Sequence, residues 1–192
     1  MKVVYILFFS LLSLLLRSDI ENKIEIKIKE GSRLYIKGSS NVNAFTCNYV
    51  KPMKPKKFIV FYDEIENGWQ LEDAKLYLES NSFDCGGKNI NRDFEELINV
   101  EQFPFIQIEV LEVNPFDSNF IAVLAISIAG KTQFLPVKIS SEDGRITTYT
   151  SVLKLNIEDF DLDTPTKMMG LIKVHEEISI HVDLRLQLTS KS

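Results

Sequence analysis

A long alternation of apolar and polar side chains near the end of the chain constrains the fold more than any other feature. From Glu177 to Leu188, apolar residues occupy every second position and polar residues lie between them. The apolar members are Ile178, Ile180, Val182, Leu184, Leu186 and Leu188. Because successive side chains of a β-strand point to opposite faces, this strand buries one face and exposes the other. A single strand of this length favours a large, strongly curved sheet or a barrel.

Eight earlier segments also carry the pattern of strands. Ile24, Ile26 and Ile28 alternate with charged residues, and a turn at Glu30-Gly31 follows them. The other predicted strands are 33–37, 57–62, 69–78, 106–113, 120–128, 133–139 and 146–155. Turn signals separate several of them, at Asn67-Gly68, Asn114-Pro115, Gly130-Lys131 and Asp143-Gly144. This order of strands and turns predicts an antiparallel meander.

One short segment, residues 93–99, has the pattern of a helix. Asp93 stands where it can cap the helix, and Glu96 three residues later completes the spacing of a capping box. Phe94, Leu97 and Ile98 supply an apolar side. One short helix among many strands predicts a lid over an otherwise all-β body.

The start of the sequence predicts an exported protein. Residues 3–16 are apolar apart from two serines, and Arg17 ends the run. Such a run is shorter than the roughly 20 residues that cross a hydrocarbon core, which is typical of a secretory signal peptide. We expect residues 1–18 to be that signal and residues 19–192 to form one periplasmic or otherwise exported domain, without stable membrane insertion. An uncleaved anchor is the alternative.

Cys47 and Cys85 are the only cysteines of the chain. In an oxidising compartment, one disulfide between them is the economical interpretation. A bridge that closes a loop of roughly forty residues stabilises a fold by about 4 kcal/mol in the chain-entropy model. The alternative is a reactive thiol pair, although no C-x-x-C spacing tunes either thiol.

Little in the sequence favours catalysis, metal binding or nucleic acid. The net charge is −5, and we interpret the basic run at 51–57 as a solvated loop, so no nucleic-acid partner is expected. His175 and His181 lie in the last hairpin region, and paired cysteines leave too few ligands for zinc. An acidic cluster does not match a calcium-binding EF-hand loop; it consists of Glu158, Asp159, Asp161 and Asp163. We therefore expect no catalytic residue, metal or cofactor.

Several segments together resemble the YceI-like family of exported lipid-binding proteins. They are residues 34–45 (LYIKGSSNVNAF), 86–97 (GGKNINRDFEEL), 103–113 (FPFIQIEVLEV), 125–139 (AISIAGKTQFLPVKI) and 153–186. The paired cysteines are similar to a variant common in Bacteroidetes-type bacteria. The chain departs from the commoner family pattern where R-D-F-E-E-L, at 92–97, replaces R-D-x-H-L. Ligand identity is therefore not carried over from the resemblance.

The resemblance implies an extended, antiparallel, lipocalin-like β-barrel of about eight strands with one or two short covering helices. Its apolar lumen would hold a long-chain apolar small molecule, such as a polyisoprenoid, an isoprenoid quinone or a fatty-acid-like amphiphile. A homodimer is a further expectation from the family. A barrel of about eight strands can hold one slim ligand, and an apolar chain binds there by burial, worth roughly 0.8 kcal/mol per methylene.

The candidate lumen residues are large apolar side chains on the predicted strands and the covering helix. They are Phe45, Phe58, Val60, Trp69, Leu76, Phe94, Ile108, Val110, Ile126, Phe134, Ile180 and Val182. Each of them could instead belong to an ordinary packed core. Two other functions stay open: a ligand-free structural or stress-related protein with a filled barrel, and an enzyme acting on a lipid-like substrate. For the enzyme, Arg92, Asp93 and His175 are the only plausible polar groups.

Overall fold

The computed structural model describes residues 22–54, 56–142, 146–163, 166–167 and 172–191. The strands are β1 (Asn22–Ile28), β2 (Arg33–Ser39), β3 (Ala44–Tyr49), β4 (Lys57–Ile65), β5 (Gly68–Glu72), β6 (Lys75–Glu79), β7 (Phe83–Asp84), β8 (Phe105–Phe116), β9 (Asn119–Ile128), β10 (Lys131–Glu142), β11 (Thr147–Asn156), β12 (Thr166–Lys167), β13 (Ile172–Lys173) and β14 (Glu177–Lys191). The α-helix is α1 (Lys88–Leu97), and the 3-10 helices are Ser80–Ser82 and Ile157–Phe160. The predicted signal peptide and the Asp143-Gly144 turn lie outside the described residues.

Eight strands close into a barrel. The ring runs from β1 through β4, β5, β8, β9, β10, β11 and β14, and β14 pairs again with β1. Neighbouring strands of the ring are antiparallel. The predicted all-β, antiparallel barrel is therefore confirmed. The predicted meander is wrong in its order, because β1 lies between β4 and β14 instead of beside β2.

The length of β14 explains why the barrel is elongated. Its residues 177–186 pair with β11 along one edge. Along the other edge, residues 179–183 pair with β2 and residues 186–191 pair with β1. In the same way, β8 pairs with β6 along 105–109 and with β5 along 112–113. Two sets of short strands are thus stacked end to end on the same long strands, which lengthens the interior.

The barrel wall opens between β10 and β11 in one half of the molecule. These strands pair only from Ile139 to Glu142. Beyond that point, the 3-10 helix Ile157–Phe160 lies beside β10, and the Gln133 side chain donates a hydrogen bond to the carbonyl oxygen of Asp159. The Phe160 ring fills the space and is the largest of the fully buried side chains. The segment that the sequence presents as an acidic cluster therefore also plugs the wall.

Two of the predicted strand boundaries are wrong. The predicted strand 69–78 is divided into β5 and β6, because Asp73 takes the left-handed conformation with a φ of 60°. The turn predicted at Asn114-Pro115 lies further along the chain, where Asp117 has a φ of 53° and β8 has already ended. In both places an aspartate adopts the left-handed conformation, which Asp tolerates better than most residues.

Strand β3 is absent from the predicted strands, although Phe45, Cys47 and Tyr49 alternate with less apolar residues. The turn expected at Gly130-Lys131 is close to its predicted place. It is formed by Ala129 and Gly130, which both have a positive φ, between β9 and β10.

Candidate functional site: a divided apolar lumen

Two apolar cavities lie inside the barrel. The helix-end cavity has a volume of about 300 Å³ and lies between α1 and the barrel strands, near the turn from β9 to β10. The hairpin-end cavity has a volume of about 550 Å³ and lies near the turns that join β4 to β5 and β8 to β9. Both have the size and the predominantly apolar lining of a small-molecule site.

The helix α1 covers the helix-end cavity with one face. Ile90, Phe94 and Leu97 follow one another at the spacing that places side chains on one side of a helix, and all three line the cavity. The Phe94 ring also packs against the Phe83 ring, with 5.1 Å between the ring centroids. The polar side chains of this lining are Ser40, Asn43, Asn89 and Asp93. The covering helix predicted from the sequence is therefore present.

The bounds of this helix differ from the prediction. It begins at Lys88 after Gly87 as N-cap, so Asp93 lies within the helix and does not cap it. The local sequence offers a cap at Asp93, but contacts with the preceding strand set the start instead. The capping-box pattern therefore identified the helix and misplaced its N-cap by six residues, at Asp93 instead of Gly87.

A hydrogen-bonded network around Asn91 fixes the start of α1. The Asn91 side-chain oxygen accepts a hydrogen bond from the backbone N–H of Cys85, with an N···O distance of 2.7 Å. Its amide donates to the Asp84 carboxylate at 3.2 Å, and the Gly86 N–H donates to the same carboxylate at 3.0 Å. The Gly86 bond, followed by the Asn91 bond, holds the pKa of Asp84 below its usual value, because both stabilise the ionised carboxylate.

The predicted disulfide between Cys47 and Cys85 is confirmed. It joins β3 to the residue that precedes Gly86-Gly87 and α1. Both half-cystines are buried and line the helix-end cavity. The bridge therefore fastens the base of the covering helix to the wall of the cavity that the helix covers.

The hairpin-end cavity is larger and opens toward solvent where β14 ends. Leu188 faces this cavity with 42% of its surface exposed, and Lys23 and Ser190 line the same region. The aromatic side chains of this lining include Trp69 and Tyr149. An apolar chain can thus enter from this end while a polar group at its end stays hydrated.

The polar groups of the hairpin-end cavity are few. They are Lys23, Tyr62, Lys75, Tyr149, Ser151 and Ser190. Lys75 forms ion pairs with Glu109 and Asp73, each at 3.4 Å, and these carboxylates raise its pKa. The Ser151 hydroxyl is buried and has no hydrogen-bond partner in the described part of the chain. A largely apolar wall with scattered hydroxyls suits a ligand that is mostly hydrocarbon.

Ten of the twelve predicted lumen residues line these cavities. Phe45, Phe94 and Ile180 line the helix-end cavity. The hairpin-end cavity is lined by Phe58, Val60, Trp69, Leu76, Val110 and Val182. Ile108 lines both cavities, whereas Ile126 is fully buried and lines neither of them.

The assignment of Phe134 to the lumen is wrong. Its side chain is 66% exposed and lies on the outer face of β10. The inward positions of this strand are those of Leu135, Val137 and Ile139, and alternation then places Phe134 outside. Phe134 and Leu135 are consecutive apolar residues, one for each face of the strand. The sequence alone therefore does not decide which of the two points inward.

Sequence reasoning also missed several lining residues. Leu184, Leu186 and Leu188 belong to the same alternation as Ile180 and Val182, and they line the hairpin-end cavity. The alternation in the sequence therefore already indicates that these three side chains face the lumen. Phe160, in the helix-end lining, carried no such signal because it lies among acidic residues.

The polar groups considered for catalysis lie in different local environments. Arg92 is exposed and pairs with Glu96 at 3.5 Å, and Ser39 shares a 3.0 Å hydrogen bond with the Nδ1 atom of His175. Of Arg92, Asp93 and His175, only Asp93 lines either of these two cavities. Within the described ranges, no group of three or more His, Cys, Asp or Glu side chains could hold a metal ion.

The second histidine, His181, lies on the outer face of β14. Its ring stacks on Tyr35 with 4.7 Å between centroids, and its Nε2 atom is 3.2 Å from the Ser179 hydroxyl. Desolvation, followed by the Lys37 ammonium, lowers its pKa, while Asp183 opposes that shift.

Among the helices described, none has the length and apolar character needed to span a membrane.

An elongated antiparallel barrel with an apolar interior and one covering helix defines a lipocalin-like fold. No protein-family model matches the sequence, and no curated protein matches it. Solved structures do match: the chain has the fold of YceI proteins, which confirms the resemblance seen in the sequence motifs at the level of the fold.

Three of these structures illustrate the likeness. BcnA from Burkholderia cenocepacia is 17% identical, with a TM-score of 0.66 over 84% of this chain and 99% of BcnA. A polyisoprenoid-binding domain from Saccharophagus degradans is 8% identical, with a TM-score of 0.58 over 86% of this chain and 98% of the domain. The YceI protein of Campylobacter jejuni is 10% identical, with a TM-score of 0.54 over 80% and 85%.

Proposed function

We propose that the protein is an exported binding or carrier protein for a long-chain apolar small molecule, held in the barrel lumen. The observation that carries this proposal is the pair of cavities, whose walls are almost entirely aliphatic and aromatic. The fold is shared with a domain described as polyisoprenoid-binding, which supports the same class of ligand. A polyisoprenoid, an isoprenoid quinone and a fatty-acid-like amphiphile all belong to that class.

The physical basis of binding is the removal of hydrocarbon from water. Each methylene that enters the lumen contributes roughly 0.8 kcal/mol, so a chain of about ten buried methylenes gains on the order of 8 kcal/mol before the cost of association. Such binding needs no catalytic group. Strong binding of a charged group deep in the lumen is not expected, because the walls offer it few polar partners.

Two features support an exported location. The apolar start of the sequence has the pattern of a secretory signal, and the disulfide belongs to an oxidising compartment. The two cavities, of about 300 and 550 Å³, favour a barrel that holds a ligand over a filled, structural barrel. The homodimer expected from the family is a separate proposal, which light scattering during size-exclusion chromatography tests.

Native mass spectrometry of protein purified from a periplasm tests this function, followed by organic extraction of the bound material. We expect a long-chain species at near-stoichiometric occupancy. A clean ligand-free mass that does not change after addition of quinones and polyprenols would contradict the proposal.

Two variants on neighbouring strands make that measurement specific. Val182 faces the hairpin-end cavity, and Val152 is its 53% exposed counterpart on the outer face of β11. We expect Val182→Phe to reduce occupancy because the larger ring fills the cavity, whereas Val152→Phe leaves occupancy unchanged. Thermal melting of both variants shows whether a loss of ligand reflects a loss of the fold.

A further inference from the structure

The division of the lumen falls at one level of the barrel. Along β8, Ile106 lines the helix-end cavity, Ile108 lines both cavities and Val110 lines the hairpin-end cavity. Along β9, Leu124 lines the hairpin-end cavity and Ile128 lines the helix-end cavity. The residue between those two, Ile126, lines neither. The transition therefore occurs at the same height on both strands.

The register of the sheet places the boundary side chains in one row. Ile108 is directly opposite Ile126 on β9 and directly opposite Leu76 on β6. Such directly opposed side chains lie within contact distance of one another on the same face of a sheet. The row is therefore a continuous band of apolar side chains across this wall of the barrel.

Two side chains on other strands also lie at the boundary between the two cavities. Leu34 on β2 and Val182 on β14 are direct partners in the sheet, yet Leu34 lines the helix-end cavity and Val182 lines the hairpin-end cavity. Leu34, Leu76, Ile108 and Ile126 belong to the same buried apolar core, and Val182 packs against that core. We call these five residues the septum.

We propose that the septum sets the length of the ligand, so that the protein prefers single apolar chains that fit within the hairpin-end cavity alone. This inference rests on the proposed function. The open mouth beside Leu188 and Ser190 lies at the hairpin end, so a chain that enters there meets the septum with its far end. A longer chain reaches the helix-end cavity only after the septum side chains have moved.

The volume of the hairpin-end cavity gives the scale of that preference. A methylene group takes up about as much space as a water molecule, roughly 30 Å³. A cavity of about 550 Å³ therefore holds a chain on the order of 20 carbon atoms. A chain twice as long exceeds the cavity and requires the closely packed side chains of the septum to rearrange.

The test is a length series measured on the wild type and on two matched variants. Isoprenoid alcohols of about 15, 20, 30 and 40 carbon atoms, delivered from cyclodextrin, compete with a fluorescent fatty acid for the lumen. Ile108→Ala removes a septum side chain. Ile59→Ala is the control, because it makes the same change at a side chain that is 39% exposed on β4 and lines neither cavity.

For the wild type we expect affinity to rise with length up to about 20 carbons and then to level off or fall. Ile108→Ala should improve the binding of the longer alcohols at least tenfold relative to the shorter ones. Ile59→Ala should leave the break, the length at which affinity stops rising, in place. If Ile108→Ala does not fold, Ile108→Val makes a smaller opening and should shift the break in the same direction.

Two outcomes overturn this inference in different ways. A steady rise in affinity through the longest alcohol in the wild type, or an unchanged break in the septum variants, contradicts the septum alone and leaves the binding function standing. Failure of the wild type to bind every alcohol and the fluorescent fatty acid contradicts the proposed function itself.

Discussion

Gly38 on β2 lies directly opposite Phe45 on β3, and a Cβ atom on Gly38 would come within 2.5 Å of the Phe45 ring. The same ring lines the helix-end cavity. The missing side chain of Gly38 thus makes room for an aromatic wall residue. This relationship connects a GSS segment of the sequence, which carried part of the family resemblance, to the shape of the lumen.

We expect Gly38→Ala to force the Phe45 ring from its position and to lower the free energy of unfolding by about 1–3 kcal/mol, the usual cost of overpacking. Urea unfolding measures the change. The double variant Gly38→Ala with Phe45→Leu should recover most of the loss, since a smaller side chain then faces the new methyl group. Equal losses in the single and double variants would contradict the close-contact explanation.

Replacing both Cys47 and Cys85 by serine should lower the free energy of unfolding by about 4 kcal/mol, the chain-entropy value for a bridge that spans 38 residues. Denaturant unfolding with and without a reductant measures this loss. The reductant should destabilise the wild type and leave the double serine variant unchanged. Detection of two free thiols in the denatured protein, purified without reductant, would contradict the disulfide and favour the thiol pair.

A matched pair of phenylalanine substitutions tests the plug between β10 and β11. Phe160→Ala removes a fully buried ring and should cost about 3–5 kcal/mol. Phe134→Ala removes an exposed ring and should change stability by no more than about 0.5 kcal/mol. Thermal or urea unfolding of the two variants compares them, and similar losses in both would show that their inward and outward positions are assigned incorrectly.

His181 should make stability depend on pH. Because its pKa is lowered in the folded state, that state binds a proton less readily than the unfolded chain, whose histidine has the ordinary value of 6.5. Stability is therefore complete above pH 6.5, decreases as the pH falls toward the folded-state pKa, and then levels off. Melting temperatures of the wild type and His181→Gln across this range measure the effect, and an unchanged acid dependence in the variant would contradict it.

The sequence predicted those parts of the structure that depend on local periodicity. The alternation around Ile180 and Val182 identified the long strand, and the apolar spacing of Phe94 and Leu97 identified the covering helix. Two cysteines in a chain that was expected to be exported were sufficient to predict the bridge. Each of these features follows from residues near one another in the chain or from a single unambiguous pairing.

The features that the sequence did not predict depend on contacts between different elements of secondary structure. The start of α1 is fixed by Asn91 and Asp84, which belong to different elements, so the local cap at Asp93 gave the wrong boundary. The place of β1 between β4 and β14 is likewise a choice among strand partners. The septum needs the register that opposes Ile108 to Ile126, and periodicity cannot supply that register.

Quenching of the Trp69 fluorescence shows whether an apolar chain occupies the lumen. Trp69 is the single tryptophan of the chain and lines the hairpin-end cavity, so its fluorescence reports on that site alone. A fatty acid brominated along its chain should quench this fluorescence saturably at one equivalent, and an excess of the unbrominated acid should reverse the effect. Fluorescence that stays unchanged, or falls without saturation as it would by collision in solution, would contradict binding in the lumen.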